Sequence, residues 1–190
     1  MNQEHLALCS GAEWAEAVQR WIVPWVLENV DLGDDVLEVG PGPGLTTDAL
    51  RARVARLTAV EIHPDLAAAL SARLAGTNAE VIRADATRTA LAAGRFSGAV
   101  CLTMLHHVPS PGRQDAVLAE IFRLLRPGGM LAGQDSLDSP DLRSLHHDDI
   151  YVPVDPSGLP ARLEAAGFTA VQVDTNEYAV RFRGTKPLQP

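Results

Sequence analysis

Short apolar runs alternate with amphipathic stretches along most of this chain. Val36–Val39, Leu57–Ile62, Ala79–Arg83, Phe96–Thr103 and Met130–Gln134 read as strands. The Phe96–Thr103 run is almost wholly apolar, as expected of a strand covered on both faces. Between the strands, Leu45–Val54, Pro64–Leu74 and Pro111–Leu125 carry apolar residues at helical spacing, and Thr89–Ala93 is expected to form a short helical turn. Gly76 stops the second of these helices, and the Arg126-Pro127-Gly128-Gly129 segment ends the third. Ser157 is expected to cap a helix reaching Ala166, and Gly167 to end it. Phe168–Thr175 and Tyr178–Arg183 then alternate apolar and polar residues, with only Asn176-Glu177 between them, which predicts an antiparallel hairpin. At the other end, residues 1–10 read as irregular. Ser10 and Glu13 have capping-box spacing, and Trp14, Val18, Trp21 and Trp25 follow on one helical face. Pro24 should kink this helix or begin a second one. Ser136–Asp149 is polar, Pro153–Pro160 is a turn-rich connector, and Lys186–Pro190 is a tail.

Strand and helix thus alternate five times before a last helix and two strands. The expected architecture is α/β: a Rossmann-like, doubly wound, mostly parallel seven-stranded sheet with a C-terminal antiparallel hairpin. One domain over residues 1–190 is expected, with a helical cap at 1–30 and an insertion at 136–160. Ligands in such sheets bind beyond the carboxyl ends of the strands, near the reversal in strand order. Five loops meet there: Gly40–Gly44, Glu61–His63, Asp85–Ala86, Thr103–His107 and Asp135 onward.

Composition narrows the partners. The chain has 190 residues, 16 basic and 24 acidic, for a net charge of −8. That balance argues against non-specific nucleic-acid or membrane-surface binding. Cys9 and Cys101 fit no metal-ligand or redox spacing and read as reduced thiols. No leader-like start and no membrane-length apolar run is present, so the expectation is a cytoplasmic protein without membrane insertion.

The stretch Val36-Leu37-Glu38-Val39-Gly40-Pro41-Gly42-Pro43-Gly44-Leu45-Thr46-Thr47 passes from strand through a glycine loop into a helix. Glycines permit close backbone approach to a ligand, and a helix N-terminus attracts negative groups. A dinucleotide fingerprint needs G-x-G-x-x-G. From Gly40 the third position is Leu45, and from Gly42 it is Thr47, so the pattern fails in both registers. No Gly-Lys-Ser/Thr follows, which removes an ATP-type phosphate loop. What stands is Glu38-x-Gly40-x-Gly42-x-Gly44, with Glu61 ending the second strand and Asp85 following the third. Together with Leu125-Arg126-Pro127-Gly128-Gly129, this resembles the class I S-adenosylmethionine-dependent methyltransferases over roughly Val36 to Phe168.

The resemblance implies S-adenosylmethionine as cofactor and assigns roles to matching positions. Glu38 and the backbone from Gly40 through Pro41 and Gly42 to Gly44 would hold the amino-acid end. Glu61, beside Ile62, would take the ribose hydroxyls. Asp85 and the Ala86 backbone would take the adenine, and Thr103 would line the methyl-transfer centre. These acids also favour a cationic sulfonium. The tryptophans are expected to dock the first helix on the core, with a lid of Leu6, Cys9 and Trp14 as the alternative.

For the acceptor, the family's Asn/Asp-Pro-Pro-Tyr element is replaced by Thr103-Met104-Leu105-His106. That points away from nucleic acid and protein and toward a small-molecule acceptor, most simply a hydroxyl. Histidine suits removal of a hydroxyl proton near neutral pH. His106 of the His106-His107 pair, and His146 and His147, are the candidate bases. Asp135, His147 and Asp148 are candidate ligands for Mg²⁺ as a second cofactor. The segments Asn2–Arg20 and Asp149–Pro156 are similar to compact actinobacterial methyltransferases, some of which methylate sugar hydroxyls. The alternatives are C-methylation of a quinone or lipid precursor, and a non-catalytic S-adenosylmethionine-binding regulator. A monomer and a homodimer are both compatible with the sequence.

Overall fold

The computed structural model describes residues 2–188; Met1 and residues 189–190, the end of the expected tail, lie outside the described residues. The seven strands are β1 (Asp35–Val39), β2 (Arg56–Glu61), β3 (Ala79–Arg83), β4 (Phe96–Leu102), β5 (Leu125–Ser136), β6 (Thr169–Thr175) and β7 (Ala179–Thr185). They form one sheet in the order β3-β2-β1-β4-β5-β7-β6. β1 lies parallel between β2 and β4, with Leu37 opposite Thr58 on one side and Ala99 on the other. β7 runs antiparallel to both β5 and β6, which bears out the expected C-terminal hairpin. Consecutive strand residues point to opposite faces, so each strand feeds two cores. Leu37, Val39 and Cys101 pack with Val117, Leu118 and Ile121 on one face, whereas Val36, Val100 and Ala132 pack with Val18, Val23 and Leu50 on the other.

The helices are α1 (Gln3–Cys9), α2 (Ala12–Ala17), α3 (Val23–Val26), α4 (Leu45–Arg51), α5 (Pro64–Arg73), α6 (Pro111–Leu124), α7 (Pro140–Leu145) and α8 (Leu159–Ala165). Among the described residues no helix is long and apolar enough to cross a membrane. Several elements differ from the sequence pattern. Most of the expected irregular start is helical. The Asn2 side chain accepts from the His5 N–H at 2.8 Å as an N-cap, and the Asn2 amide donates to Leu145 O at 2.8 Å, tying α1 to a remote segment. Ser10 does not open the next helix: its hydroxyl donates back to Leu6 O, and Gly11 is the N-cap of α2 without a side-chain bond.

Between α2 and α3 the chain makes a π-helical turn over Val18–Ile22, just ahead of Pro24. Proline has no N–H to donate, and the wider turn adds a residue before it. The helical face rotates in consequence. Val18 is buried, Trp14 and Trp25 are half-buried, and Trp21 is 70% exposed, off the expected stripe. The helical turn expected at Thr89–Ala93 is absent. There the Thr89 N–H and hydroxyl both donate to Glu120 Oε1 at 2.7 Å instead. Ser157 bonds Asp155 rather than capping α8, whose N-cap is Gly158.

The ring of Phe182 on β7 is fully buried against β5, and a Cβ at Gly133 would lie 2.2 Å from its Cζ. Gly133 is therefore the space that this ring fills. Phe182→Ala should cost about 3–5 kcal/mol. Urea unfolding should show a lower midpoint with an unchanged slope.

Candidate active site

The glycine loop leaves the carboxyl end of β1 with positive φ at all three glycines: 69° at Gly40, 53° at Gly42 and 90° at Gly44. A Cβ at Gly40 would stand 2.9 Å from Met104 Cβ, so this position requires glycine both for its conformation and for its neighbour. At Gly42 a Cβ would meet nothing within 4 Å, and its N–H donates to Glu61 Oε2 at 3.0 Å. The other Glu61 oxygen accepts from His63 N at 2.8 Å. Glu61 thus fastens the loop to the end of β2. Gly44 is the left-handed N-cap of α4; a Cβ there would lie 2.3 Å from Leu70 Cδ1. It shapes the loop and lines neither of the cavities described below, which is a different place from the one the sequence suggested.

Behind the loop, Glu38 is buried on β1. Thr46 donates a short hydrogen bond to its Oε1, while Oε2 is buried with no partner. Burial pushes the Glu38 carboxyl up to about 7, against the lowering effect of the Thr46 and Thr47 hydroxyls. A carboxyl so easily protonated, with an unsatisfied oxygen, would gain from a nearby cationic group.

A cavity of about 270 Å³ lies over the carboxyl ends of β1, β2 and β3. Gly40, Gly42, Glu61, Ile62, Asp85, Ala86 and Thr103 all line it, as expected of a cofactor site. Asp85 is more heavily engaged than the sequence indicated. The Thr87 N–H and hydroxyl donate to its Oδ1, and Arg113 donates to Oδ2 at 2.6 Å. The Thr87 backbone bond is the largest cause holding its carboxyl below the usual range. Thr103, just after β4, has φ 49°, a left-handed conformation that costs a β-branched residue energy. A second cavity, of about 110 Å³, shares Gly40, Gly42, Thr103 and His107 with the first and is also lined by Pro41, Leu8, Cys9 and Trp14.

Four histidines meet beside these cavities: His5 from α1, His106 and His107 from the 3-10 turn Leu105–His107 after β4, and His146 after α7. Ring centroids stand 4.2 Å apart for His106 and His107, 4.4 Å for His5 and His146, and 4.9 Å for His106 and His146. Asp135, fully buried at the end of β5, places Oδ1 at 2.5 Å from His106 Nδ1 and accepts from Ser136 N at 2.8 Å. Gln114 steadies the turn by donating to both Leu105 O and Val152 O at 2.9 Å. Burial, reinforced by the neighbouring rings, lowers His5 to about 4 and His107 to about 2 and also lowers His146, so these three are neutral near pH 7.

The sequence candidates separate here. His106 and His146 lie in the cluster, but His147 and Asp148 are exposed, and His147 Nδ1 faces Ser144 O at 3.0 Å. Asp135, His147 and Asp148 form no metal-ligand cluster among the described residues. Not among the sequence candidates were His5, Tyr151, whose ring centroid stands 4.4 Å from that of His146, and Met104 and Arg113, which line the larger cavity. For His5 a signal existed, because Asn2 stands three residues before it at N-cap spacing. Of the proposed lid, Cys9 and Trp14 line the smaller cavity and Leu6 does not. The orphaned Glu38 oxygen, the open space at Gly42, and the acids at the ends of β2 and β3 fit S-adenosylmethionine.

Residues 36–129 match the family model described as a methyltransferase domain. Over 113 residues, 57% of this chain and 47% of the relative, the sequence is 36% identical to the ubiquinone biosynthesis O-methyltransferase of Azotobacter vinelandii. The chain spans about half the length of the curated relatives it matches. Among solved structures, the PH0226 protein of Pyrococcus horikoshii OT3 shares the fold with a TM-score of 0.78 at 15% identity, over 94% of this chain and 93% of that one. A SAM-dependent methyltransferase of Methanosarcina mazei has a TM-score of 0.68 at 20% identity, over 87% and 98%. Residues 36–129 are thus similar to methyltransferase domains, and they sit in the fold that these solved structures share.

The raised carboxyl of Glu38 sets a pH dependence. Its folded value of about 7 lies above the ordinary 4.5, so its stabilising contribution is complete below 4.5 and is lost as pH rises through 7. Glu38→Gln has no charge to bury. Its stability relative to wild type should rise by about 3 kcal/mol between those limits, measured by chemical denaturation of the ligand-free proteins side by side.

Proposed function

We propose that this chain transfers the methyl group of S-adenosylmethionine to a hydroxyl of a small molecule, and that an aromatic, quinol-type ring is a better acceptor than a sugar. The observation that carries this reading is the pair of adjoining cavities. The larger is walled by Glu61 and Asp85, and the smaller opens onto a largely buried histidine cluster. S-adenosylmethionine supplies an electrophilic methyl group on a cationic sulfonium.

The roles of the residues follow from their positions. The Gly40 backbone lines both cavities and would meet the amino-acid end, with Glu38 buried beneath the loop as a carboxyl whose ionisation a nearby cation would favour. Glu61 is held by Gly42 and His63 with lone pairs left for ribose hydroxyls. Asp85 and Ala86, which line the same cavity, would take the adenine amine, and Ile62, 61% exposed, would offer an apolar surface to the ring. Apolar walls exclude water from the reacting centre and hold the acceptor oxygen in line, which supplies much of the rate in a displacement.

A hydroxyl acceptor must also lose its proton. The His106–Asp135 pair is suited to remove it. Asp135 fixes Nδ1 as the hydrogen-bonded nitrogen and leaves Nε2 to accept. Two observations favour an aromatic acceptor. The smaller cavity is lined by Leu8, Trp14, Leu45, Leu142 and Leu145, apolar surfaces that suit a flat ring. Oxygen is also the methylated atom in the names of the curated relatives, which concern ubiquinone biosynthesis. C-methylation and a sugar acceptor are the competing outcomes of a product analysis.

Calorimetry with S-adenosylhomocysteine should show one site per chain, and Glu61→Ala should weaken it by about 10- to 100-fold, the loss expected of hydrogen bonds to a charged group. No binding to folded wild-type protein would sink the reading. In a labelled-methyl assay with a phenolic acceptor, His106→Gln should lower kcat by at least about 100-fold while S-adenosylhomocysteine affinity is kept.

A further inference from the structure

We propose that His5, His106, His107 and His146 form a binding site for one first-row transition dication of the Zn²⁺ type, on the acceptor side of the cofactor cavity. Each of the four offers one ring nitrogen, and these nitrogens all lie within 4.8 Å of one another. Four nitrogens at the usual zinc bond length, arranged tetrahedrally, stand about 3.3 Å apart. The cluster is therefore assembled and needs to contract by roughly an ångström or less per ligand.

The unpaired nitrogens are the strongest observation. His5 Nδ1, His106 Nε2 and His146 Nε2 are buried without a hydrogen-bond partner, on side chains more than nine-tenths buried. Buried polar atoms are rarely left in that state without an ion or water to satisfy them. Three of them, from three segments far apart in sequence, converge on one place. The nitrogens on the other side of two rings are also occupied as metal-bound histidines require. His106 Nδ1 faces the Asp135 carboxylate at 2.5 Å, and His146 Nδ1 faces Leu142 O at 2.6 Å. A carboxylate or carbonyl on the remote nitrogen fixes the tautomer and turns the other lone pair toward the ion.

The donor set also selects the class of ion. Imidazole nitrogens suit zinc, copper, nickel and iron, whereas Mg²⁺ and Ca²⁺ need oxygen ligands. His107 is only partly buried and lines both cavities, so the fourth coordination position is the one that faces the reacting centre. An ion there would join α1, the turn after β4 and the residue after α7, and the Asn2 bonds to Leu145 O, His147 O and Asp149 already hold the first and last of these together. An imidazole nitrogen that holds the ion is withdrawn from proton transfer. The metal-loaded cluster and the metal-free base are thus two states of the same side chains. The binding site itself does not depend on the methyl-transfer reading.

The test uses tag-free, chelator-stripped full-length chain. Calorimetry with Zn²⁺ should give one ion per chain, and Co²⁺ should produce the visible absorption of a four- or five-coordinate nitrogen site. Mg²⁺ in excess should not compete. His5→Gln and His146→Gln should each weaken Zn²⁺ binding by more than about 10-fold, while His147→Gln, the exposed neighbour, should leave it within about twofold. Circular dichroism shows that each variant is folded, and S-adenosylhomocysteine binding is measured on the same samples. No stoichiometric Zn²⁺ binding to folded protein overturns the proposal, as does a loss in His147→Gln equal to that in His5→Gln. Zinc binding without S-adenosylhomocysteine binding would instead overturn the proposed function and leave this site standing.

Discussion

β1 has a hydrogen-bonded parallel neighbour on each side, and the chain leaves it first toward β2 and later returns beside it as β4. Connections that depart in opposite directions cannot cover the end of the strand between them, so a crevice opens there. The glycine loop, the acid at the end of β2, the strained Thr103 and the histidine turn all border that crevice. Their grouping is a consequence of strand order. The loop can lie flat over the crevice because Gly40 leaves room for Met104, and because Glu61 captures the Gly42 N–H.

This arrangement carries an electrostatic cost. Glu38 and Asp135 are buried carboxyls in a chain of net charge −8, and burying a charge without partners is expensive. The two acids meet that cost differently. Glu38 shifts toward its protonated form and keeps one oxygen unsatisfied. Asp135 gathers the His106 ring, the His106 backbone N–H and Ser136 N. The first solution leaves an unsatisfied carboxyl oxygen beneath the glycine loop. The second fixes the orientation of one imidazole, and through it the geometry of the histidine cluster.

The cluster closes the crevice from the N-terminal side. Within α1 only His5 is buried, and the hold on this helix comes from Asn2, which caps it and also reaches Leu145 O and His147 O. A short helix is marginal alone, so α1 persists through these tertiary bonds. Its position brings His5 to within 4.4 Å of His146, ring centre to ring centre.

The parallel strands, the helices behind them and the cofactor loop were legible in the sequence, because burial on both faces, helical periodicity and glycine spacing are local signals. Glu38, Glu61 and Asp85 could be placed at strand ends for the same reason. The path of the first thirty residues was not legible. Its helix depends on bonds to residues about 145 positions away, and the π-turn before Pro24 rotated Trp21 into solvent. The acceptor side was misread in the same way. His147 and Asp148 look as functional in sequence as His146, yet a helix end exposes them while its last turn buries His146. Sequence alone determined which strand ends would carry acids and glycines. Only the tertiary structure decided which histidines meet, because that depends on three segments that share no local pattern and converge through strand order and a single N-terminal asparagine.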